Sequence, residues 1–557
     1  MSKKQAASIN AIELEYDLFS LPTAQHKAGL AGLLLMIESM NMRHMQPMPE
    51  ILECSAIGAK LKFTRDSIQV LFDDLFAASW EEVSVRSQWR GKQPKRVEEQ
   101  EVAQEDGKTK KEKRFIYEVV QPHGEFLRTL YPAGNDGWIK LWRDMLWNTL
   151  RAQPTTRKVY EERAEHRSSV EAQKVWQNLA TGHVLKEAGK VKVEGIVGTL
   201  FIGAQDVNPE KVPFQGAAEQ NFLLYFWTIP SLVYSPRTVT IERKNETVEA
   251  RLDDKGYVII VPEPADLHEF VDEAKRFLQS LDPAMAGYRP KAAWIELPEE
   301  GGLEYLYHIT RQRLMGQDIQ YSLAAVEIYH LERQGNNSRL LSGERLSPSS
   351  RLLRAYEAMR EHCENPIYRA RRIRNLLAGV PWYEDALADF NGFPWTFFLR
   401  KEGRMPKRMA FFGKDVRKTF EAIEAELAMK QGGVSMSSEE WDDHLALRVY
   451  KLTQNYVNRK TEEKSGIKYE SFKENKNPEG RVIYPEKYRE AREKVCSDAF
   501  LAMRGRREQD FVEYFTGTMC SVPQWLPEDD FVAVSRALMT EWEKVKTLSM
   551  LALSACS

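Results

Sequence analysis

The large apolar residues in about the last 120 positions recur with the period of an α-helix, which constrains the fold more than any other feature of the sequence. Between 437 and 456 they follow one another at steps of four, four, three and four, so they share one helix face. These residues are Trp441, Leu445, Val449, Leu452 and Tyr456. The segments 488–502, 511–515 and 531–545 show the same period. Four amphipathic helices so close in sequence predict a compact helical bundle.

The middle of the chain has the composition of β-strands. β-branched and aromatic residues fill five segments, 191–202, 222–227, 238–242, 248–252 and 257–261. Turn-forming residues separate the last three, which predicts an antiparallel meander. After about residue 303 the pattern no longer predicts strands, and the apolar residues recur with helical periodicity. Because strands and helices do not alternate regularly, the sequence predicts an α+β fold rather than a doubly wound sheet.

The first part of the chain mixes the two kinds of element. Residues 14–19 form a strand-like run, and Thr23 is placed to cap a helix that continues to Ile37. Large apolar residues at helical spacing in 138–146 predict an amphipathic helix. The segment 85–114 carries ten Lys and Arg against six Asp and Glu, which is typical of an exposed loop or a long solvated hairpin.

These patterns predict three regions. Residues 1–335 form a mixed N-terminal region with an antiparallel sheet. Residues 336–430 form a basic, mainly helical segment with an aromatic loop at 390–395, and residues 431–557 form the helical bundle.

The composition excludes several classes of protein. The 557 residues include 79 Lys and Arg against 81 Asp and Glu, so the chain is not a uniformly basic nucleic-acid binder. The best apolar run, 28–37, is about half the length that spans a bilayer. The first residues lack the apolar stretch of a secretion signal, and the five cysteines are scattered without a C-x-x-C pair. We therefore expect a cytoplasmic protein with no membrane partner.

A local charge imbalance lies between Arg339 and Lys418, where 17 Lys and Arg face nine Asp and Glu. A planar guanidinium pairs bidentately with phosphate or with a guanine edge, so this segment is a candidate nucleic-acid surface. The candidates for contacts to a nucleic-acid backbone are Arg351, Arg354, Arg369, Arg371, Arg372, Arg374, Arg400, Lys401, Arg404, Lys407 and Arg408. The alternative is a solvated helix face. Aromatic residues at 393–398 and 411–412 either stack on bases or form a buried hairpin.

The motifs of common enzymes are missing from the sequence. The run 188–191 resembles a phosphate-binding loop but lacks its first glycine and its Ser or Thr. Asp442, Asp443 and His444 come closest to a metal cluster, but they fall in the first turn of a predicted helix, where acidic residues stabilise the helix dipole. We therefore expect no catalytic residue, no metal site and no cofactor. A metal-dependent nuclease with dispersed ligands remains the alternative.

Several segments in the first half of the chain resemble one known family. They read EYDLF at 15–19, LPTAQHKAGL at 21–30, WRDMLW at 142–147, YEER at 160–163 and GYRP at 287–290. These segments resemble the large subunit of type I CRISPR interference complexes (Cascade), in its MYXAN or type I-B-like form.

The resemblance implies a non-catalytic subunit of an RNA-guided surveillance complex. Such a subunit inspects the short duplex motif that flanks the target (the PAM), helps to open the DNA, holds the displaced strand and helps to recruit a helicase-nuclease in antiviral defence. The implied partners are guide RNA, target double-stranded DNA, the helicase-nuclease, and the backbone, guide-end and small subunits of Cascade. From their chemistry alone, the candidate PAM contacts are Thr156, Arg157, Lys158, Asn336, Asn337, Arg339 and Asn391.

Two further interpretations of the sequence remain open. Gly432 and Gly433 can be encoded by a ribosome-binding sequence just before the Met436 codon, and some relatives produce their small subunit from an internal start. Alternatively, the two glycines only end a helix and link two regions. The whole chain could also act as a scaffold that makes no contact with nucleic acid.

Overall fold

The computed structural model describes residues 9–89, 91–103, 109–131, 134, 136–203, 214–244, 247–311, 321–335, 337–392, 399–402, 405–408, 412–429, 438–478, 482–523 and 526–557. The chain divides into two compact units. Unit 1 contains 1–237 and 254–350, and unit 2 contains 238–253 and 351–557. The predicted α+β fold class is confirmed. The predicted division into three regions remains a prediction.

The elements follow one another along the chain with most strands before residue 347. The strands are β1 (Ala11–Asp17), β2 (Glu50–Cys54), β3 (Gly58–Thr64), β4 (Ala78–Val85), β5 (Arg96–Ala103), β6 (Thr109–Pro122), β7 (Val193–Gly195), β8 (Gln215–Ala217), β9 (Leu232–Lys244), β10 (Thr247–Asp254), β11 (Tyr257–Pro264), β12 (Met285–Ala286), β13 (Arg289–Pro290), β14 (Trp294–Ile295), β15 (Leu323–Gln334), β16 (Asn337–Leu346), β17 (Leu399–Glu402) and β18 (Met405–Arg408).

Helices occur throughout and dominate after residue 350. They are α1 (Ala24–Met42), α2 (Arg65–Leu75), α3 (Glu125–Leu130), α4 (Asp136–Met145), α5 (Lys158–Ala164), α6 (Val170–Glu187), α7 (Ala218–Leu223), α8 (Leu267–Gln279), α9 (Pro298–Thr310), α10 (Ser350–Arg360), α11 (Pro366–Ala378), α12 (Ala386–Gly392), α13 (Gly413–Met429), α14 (Ser438–Ser465), α15 (Glu486–Arg504), α16 (Glu508–Thr518), α17 (Glu528–Thr540) and α18 (Trp542–Cys556).

Helix α1 is the centre of unit 1. It begins where the sequence predicts, because the Thr23 side chain accepts a hydrogen bond from the backbone N–H of His26. It continues to Met42, beyond the predicted end, and 15 of its 19 residues are buried. It packs against β11, α3, α7 and α8. A helix buried on nearly every side forms the core of a domain rather than its surface.

The main sheet of unit 1 has the order β9-β11-β15-β16. The predicted meander is wrong in one respect. Strand β11 pairs with the first half of β9, with Ile259 opposite Val233, and does not pair with β10. The second half of β9 and strand β10 are grouped with unit 2. Turn residues indicate where strands end, but the choice of neighbour depends on packing against the core.

Two of the predicted strands are wrong. Residues 222–227 lie at the end of α7 and in the turns that follow it, and only 193–195 of the segment 191–202 form a strand. Phe222 and Phe226 are buried against Phe72 of α2. A short apolar run buried on all sides shows neither the helical nor the strand period, so pattern alone cannot assign it.

The helical interpretation of the region after 303 is wrong for 323–346. This segment forms the antiparallel hairpin β15–β16, with Gly335 in the turn between its strands. Gly335 has a φ of 64°, a value that favours glycine. Ala325 and Val326 of β15 are both buried although they lie on opposite faces of the strand, so β15 lacks the strict alternation of a half-exposed strand.

The charged segment 85–114 contains β5 and the first part of β6, which pair as a hairpin, as one of the two sequence interpretations states. Strand β6 lies between β4 and β5 in a small antiparallel sheet. Ion pairs cross its strands, including Arg96 with Glu82 at 2.6 Å and Lys95 with Glu118 at 3.0 Å. The positive charges of Lys95 and Arg96 are therefore already paired.

Unit 2 is built around α18, in which 12 of 15 residues are buried. Helices α13, α14, α15, α16 and α17 all contact it. Two arginines hold its C-terminal carbonyls: Arg417 Nε donates to Ala555 O at 2.8 Å, and Arg492 Nε donates to Cys556 O at 2.6 Å. Cations at this position stabilise the negative end of the helix dipole.

The helix predicted over 531–545 is two helices, α17 and α18. The chain turns at Glu541, where φ is −139° and ψ is 48°. Apolar residues continue at nearly helical steps across this turn, so the sequence pattern does not reveal the break.

Candidate nucleic-acid interface

A distorted stretch of backbone follows α4 and carries the first group of predicted contacts. A π-helical turn, Leu146–Leu150, leads through Arg151 to a 3-10 turn, Pro154–Arg157. Pro154 occupies the first position of the 3-10 turn, and Lys158 begins α5. Irregular helical turns of this kind are frequent at functional sites.

The tip of the β15–β16 hairpin lies against this stretch. Gln153 Nε2 donates a hydrogen bond to Asn337 Oδ1 at 3.2 Å. In the hairpin register, Asn337 faces Gln334 and Ser338 faces Arg333. The structure thus brings two groups of predicted contacts together although about 180 positions separate them in the sequence.

Arg157 is held firmly at this junction. Its Nε donates to Arg151 O at 2.8 Å and its Nη2 to Trp147 O at 3.0 Å. Its guanidinium carbon lies 4.5 Å from the centroid of the Trp147 ring, within the range of a cation–π interaction. Thr156 donates its hydroxyl proton to Gln153 O at 2.7 Å, so this side chain stabilises the turn.

Sequence reasoning missed Arg333 at the hairpin tip. Its Nη1 donates to Asn148 Oδ1 at 3.1 Å, and its Nε donates to Gly335 O at 2.7 Å. Asn148 Nδ2 in turn donates to the hydroxyl of Tyr257 at 3.2 Å. A hairpin prediction around the Gly335 turn would have placed Arg333 beside Asn337, but the helical interpretation of this region hid that signal.

Two further cations at this junction are exposed. Lys158 at the start of α5 and Arg339 on β16 make no ion pair with any of the described residues. We call the exposed and half-buried group at the junction the hairpin-tip surface. It consists of Thr156, Arg157, Lys158, Arg333, Asn337 and Arg339; the predicted contact Asn336 lies outside the described residues.

The cations of the hairpin-tip surface influence one another. Partial burial lowers the pKa of Arg157, the positive charge of Arg333 lowers it further, and the nearby carboxylate of Glu161 acts in the opposite direction. Arg157 nevertheless stays charged at physiological pH because an arginine pKa is so high. The surface therefore holds two guanidinium groups close enough to repel each other.

Three arginines of the predicted cluster in unit 2, Arg369, Arg371 and Arg372, bind protein groups. Arg371 forms a bidentate pair with Asp389 at 2.8 Å and also contacts Asp385 at 3.0 Å. Arg369 Nη1 donates to Arg360 O at 2.9 Å and to Cys363 O at 3.1 Å.

The other two arginines of α11 in this cluster differ from each other. The Arg372 guanidinium lies over the rings of Tyr368 and Trp382 and donates to Thr419 Oγ1 at 3.1 Å. Arg374 is exposed and has no ion pair within the described ranges.

The remaining predicted contacts of unit 2 are scattered. Arg351 and Arg354 are exposed on α10, and Asn391 is exposed in the last turn of α12. In the small hairpin β17–β18, Arg400 is opposite Lys407, Leu399 is opposite Arg408 and Lys401 is opposite Pro406. Arg404 and the aromatic segment 393–398 lie outside the described residues.

Asp442, in the half-buried segment 442–444, is held by other groups of unit 2. Asp442 accepts hydrogen bonds from the Tyr383 hydroxyl and from Lys544 Nζ, each at 2.9 Å. Across the part of the chain that the structure describes, no group of three or more His, Cys, Asp and Glu side chains could hold a metal ion. In the same part, none of the helices is both long enough and apolar enough to cross a lipid bilayer.

Comparison with known proteins assigns both halves of the chain. A family model of the type I-B CRISPR Cas8b N-terminal domain matches residues 48–318, and a model of the Cas8b C-terminal domain matches residues 323–556. Comparison with curated proteins finds no match. The two matches define the chain as the large subunit of a type I CRISPR complex, which confirms the resemblance seen in the sequence. The chain belongs to the Cas8b family of type I-B systems.

Proposed function

We propose that this large subunit recognises the duplex beside the target through the hairpin-tip surface. The observation that carries the proposal is the junction between the 153–158 turn and the β15–β16 hairpin. Two exposed, unpaired cations, Lys158 and Arg339, lie there among the described residues, together with the amide of Asn337. Cations bind phosphates, whereas amide and guanidinium groups read the edges of bases.

A division of labour with the guide RNA supports this proposal. Base pairing to the guide supplies most of the sequence information in such complexes, so the protein needs only local duplex recognition and backbone contacts. A chain with a net charge of −2 and a few concentrated basic sites fits that requirement. We further propose that the subunit is not catalytic, and that it helps to open the DNA and to recruit the helicase-nuclease.

We also propose that exposed cations of unit 2 hold the displaced strand. Arg374 supports this because it is exposed and has no ion pair within the described ranges. Arg351 and Arg354 are exposed as well. The arginines that already bind protein groups, such as Arg371, are weaker candidates because a phosphate would have to compete with their carboxylate partners. Guide RNA and the other Cascade subunits are the remaining proposed partners.

Binding of target duplex by the reconstituted guide-RNA complex tests the main proposal. The complex is assembled with the wild-type chain, with the double variant Lys158→Glu/Arg339→Glu, or without the subunit. Each complex is incubated at one fixed salt concentration with a library of target duplexes whose flanking positions are randomised. We expect the complex to prefer particular flanking sequences only when the subunit is present. We expect the double variant to lose at least tenfold in affinity for the target duplex. Lys190→Glu, which reverses an exposed lysine outside the hairpin-tip surface, is the matched control.

Two outcomes would contradict the proposal. Equal binding without the subunit would remove any role in duplex recognition, and unchanged binding by the double variant would leave the subunit as a scaffold at this surface. Metal-dependent DNA cleavage by the purified chain, lost when an acidic residue is replaced, would instead support the nuclease alternative.

An internal start at Met436 is a separate proposal. Translation from this codon would give a polypeptide with helices α14 to α18 but without α13. Met436 and the glycines before it lie outside the described residues. The helical packing around α18 supports the proposal, because most of the partners of this helix follow Met436 in the sequence.

A further inference from the structure

We infer that Arg157 and Arg333 form a clamp for a single phosphate group, and that Asn148 is the residue that positions the clamp. The inference rests on the proposed function, since the phosphate would belong to the bound nucleic acid. It adds the chemical group that this pair takes and a residue that does not itself contact the ligand. No sequence motif singles out Asn148 or Arg333.

Both guanidinium groups are fixed to consecutive residues of the π-helical turn. Arg157 stacks on the Trp147 ring and donates to its carbonyl oxygen, while Arg333 donates to the side-chain oxygen of Asn148. Arg333 is held a second time by the carbonyl of Gly335 in its own hairpin turn. Two cations from distant parts of the chain are thus oriented by one short piece of backbone.

Each guanidinium keeps donors for a ligand. Arg157 uses Nε and Nη2 in protein contacts, and Arg333 uses Nε and Nη1. Within the described residues, the N–H groups of Arg157 Nη1 and Arg333 Nη2 have no partner. A phosphate oxygen is the strongest acceptor for such donors, because a charge-assisted hydrogen bond is about twice as strong as a neutral one.

The repulsion between the two cations also favours an anion between them. The charge of Arg333 lowers the pKa of Arg157, so the groups interact, and neither forms an ion pair with a carboxylate among the described residues. Glu161 acts on Arg157 only through its charge. A bound phosphodiester group would cancel this repulsion without displacing a protein partner.

The orientation of the Asn148 amide explains its positioning role. Its nitrogen donates to the hydroxyl of Tyr257, whose ring is buried and lies 5.0 Å from the guanidinium carbon of Arg289. Because this donor is committed to Tyr257, the amide oxygen is left for Arg333. Asn148→Asp would keep the shape but place a negative charge beside Arg333, where it would compete with the phosphate.

The test replaces one phosphate at a time. A set of duplexes is titrated with the complete guide-RNA complex. Each duplex carries one neutral methylphosphonate linkage, at a different position in the flank or in the first target positions. With the wild-type subunit we expect neutralisation to weaken binding at a few linkages, because Lys158 and Arg339 are also proposed to bind phosphates. At the linkage that the clamp binds, called the sensitive linkage, we expect a loss of about tenfold. With Arg333→Gln, Arg157→Gln or Asn148→Asp, the complex binds all duplexes more weakly, and neutralising that linkage no longer lowers the affinity further.

The controls separate this inference from the proposed function. Lys158→Gln and Arg339→Gln should weaken binding of all duplexes yet leave the sensitive linkage in place. If these two variants weaken binding but Arg333→Gln or Asn148→Asp keeps the sensitive linkage, the clamp is wrong and the duplex interface stands. If none of the variants changes binding, both proposals fail. Arg333 is exposed, so Arg333→Gln should fold normally and keeps the test decisive even if Asn148→Asp is unstable.

Discussion

The ring of Phe420 on α13 lies parallel to the ring of Tyr450 on α14, with 4.3 Å between the centroids and an angle of 3° between the planes. Phe420 is fully buried, and Val416 on the same helix is buried with it. Helix α13 also reaches α18, where Gly413 N donates to Ser554 Oγ at 2.8 Å. The helix before Met436 is therefore part of the core of unit 2.

Phe420→Ala should destabilise unit 2 strongly. Removing a buried aromatic side chain costs about 3–5 kcal/mol, because transfer free energy is lost and a cavity remains. We expect a clear fall in the urea concentration at which unit 2 unfolds. Glu421→Ala, an exposed neighbour on the same helix, should change it by less than about 0.5 kcal/mol. Equal stability of the two variants would show that α13 does not belong to the core.

The same contact makes a prediction about the proposed internal start. If translation begins at Met436, expression of the full gene should give a second band of 122 residues, and Met436→Leu should abolish that band alone. The short product lacks Phe420, so the face of α14 around Tyr450 would be uncovered unless another helix packs there. A single full-length band from the unchanged gene would support the alternative, that Gly432 and Gly433 only link two regions.

Gly29 of α1 should not tolerate a methyl group. A Cβ at this position would collide with the backbone carbonyl oxygen of Leu223, which cannot move without shifting α7. Alanine gains about 1 kcal/mol over glycine inside a helix, but overpacking against backbone costs about 1–3 kcal/mol or more. We therefore expect Gly29→Ala to lower the thermal midpoint. Gly343→Ala is the control. A Cβ at Gly343 would meet no atom within 4 Å, so this variant should leave the thermal midpoint nearly unchanged.

The parts of the fold that the sequence predicts well are those with one face buried. Helices α4 and α15 show their period because the opposite face is polar. Helix α1 is buried on nearly every side, and its start was predicted from the Thr23 cap instead. The predictions fail where this contrast is lost. Phe222 and its neighbours are buried on all sides, and β15 buries the adjacent residues Ala325 and Val326, which lie on opposite faces of the strand.

For the candidate site, the sequence predicts which types of side chain could bind nucleic acid but not which residues lie close together. Arg157 and Asn337 could be proposed because guanidinium and amide groups suit nucleic acid, but their proximity depends on a hairpin that the sequence pattern did not reveal. Arg333 and Asn148 had no signal of their own, since their roles come from a contact between distant segments. Conversely, Arg371 and Arg372 looked available as charges, yet tertiary contacts occupy both.

His26 should make unit 1 less stable in mild acid. Burial lowers the pKa of this histidine to about 4, and its Nδ1 lies 2.8 Å from Thr23 Oγ1 at the start of α1. An unfolded histidine binds a proton near pH 6.5, so between pH 6.5 and 4 the unfolded state carries more protons than the folded state. Stability should therefore fall as the pH falls through this window, by roughly 3 kcal/mol at most.

Urea unfolding at several pH values between 7.5 and 4.5 measures this effect. His26→Gln should be less stable at pH 7.5, because it disturbs the helix cap, but its stability should decline less steeply toward acid. His268→Gln, which changes an exposed histidine of unit 1, should keep the slope of the wild-type protein. If His26→Gln and the wild-type protein lose stability in parallel, then His26 is not the group responsible.

Arg371 and Arg374 are three residues apart on α11, and exchanging each for glutamine should separate a structural role from a binding role. Arg371→Gln breaks a bidentate pair with Asp389, in which both side chains are largely buried, so unit 2 should lose about 2 kcal/mol of stability. Arg374→Gln removes an exposed charge and should change stability by less than about 0.5 kcal/mol.

If Arg374 holds the displaced strand, its loss should reduce the dependence of log affinity on log salt concentration by about 0.7, the value for one contact to single-stranded DNA. Titrations of the assembled complex at several salt concentrations, beside urea unfolding of each variant, measure both effects. A normal salt dependence for Arg374→Gln would exclude this residue from the strand-binding surface, and unchanged stability for Arg371→Gln would show that its pair with Asp389 does not stabilise unit 2.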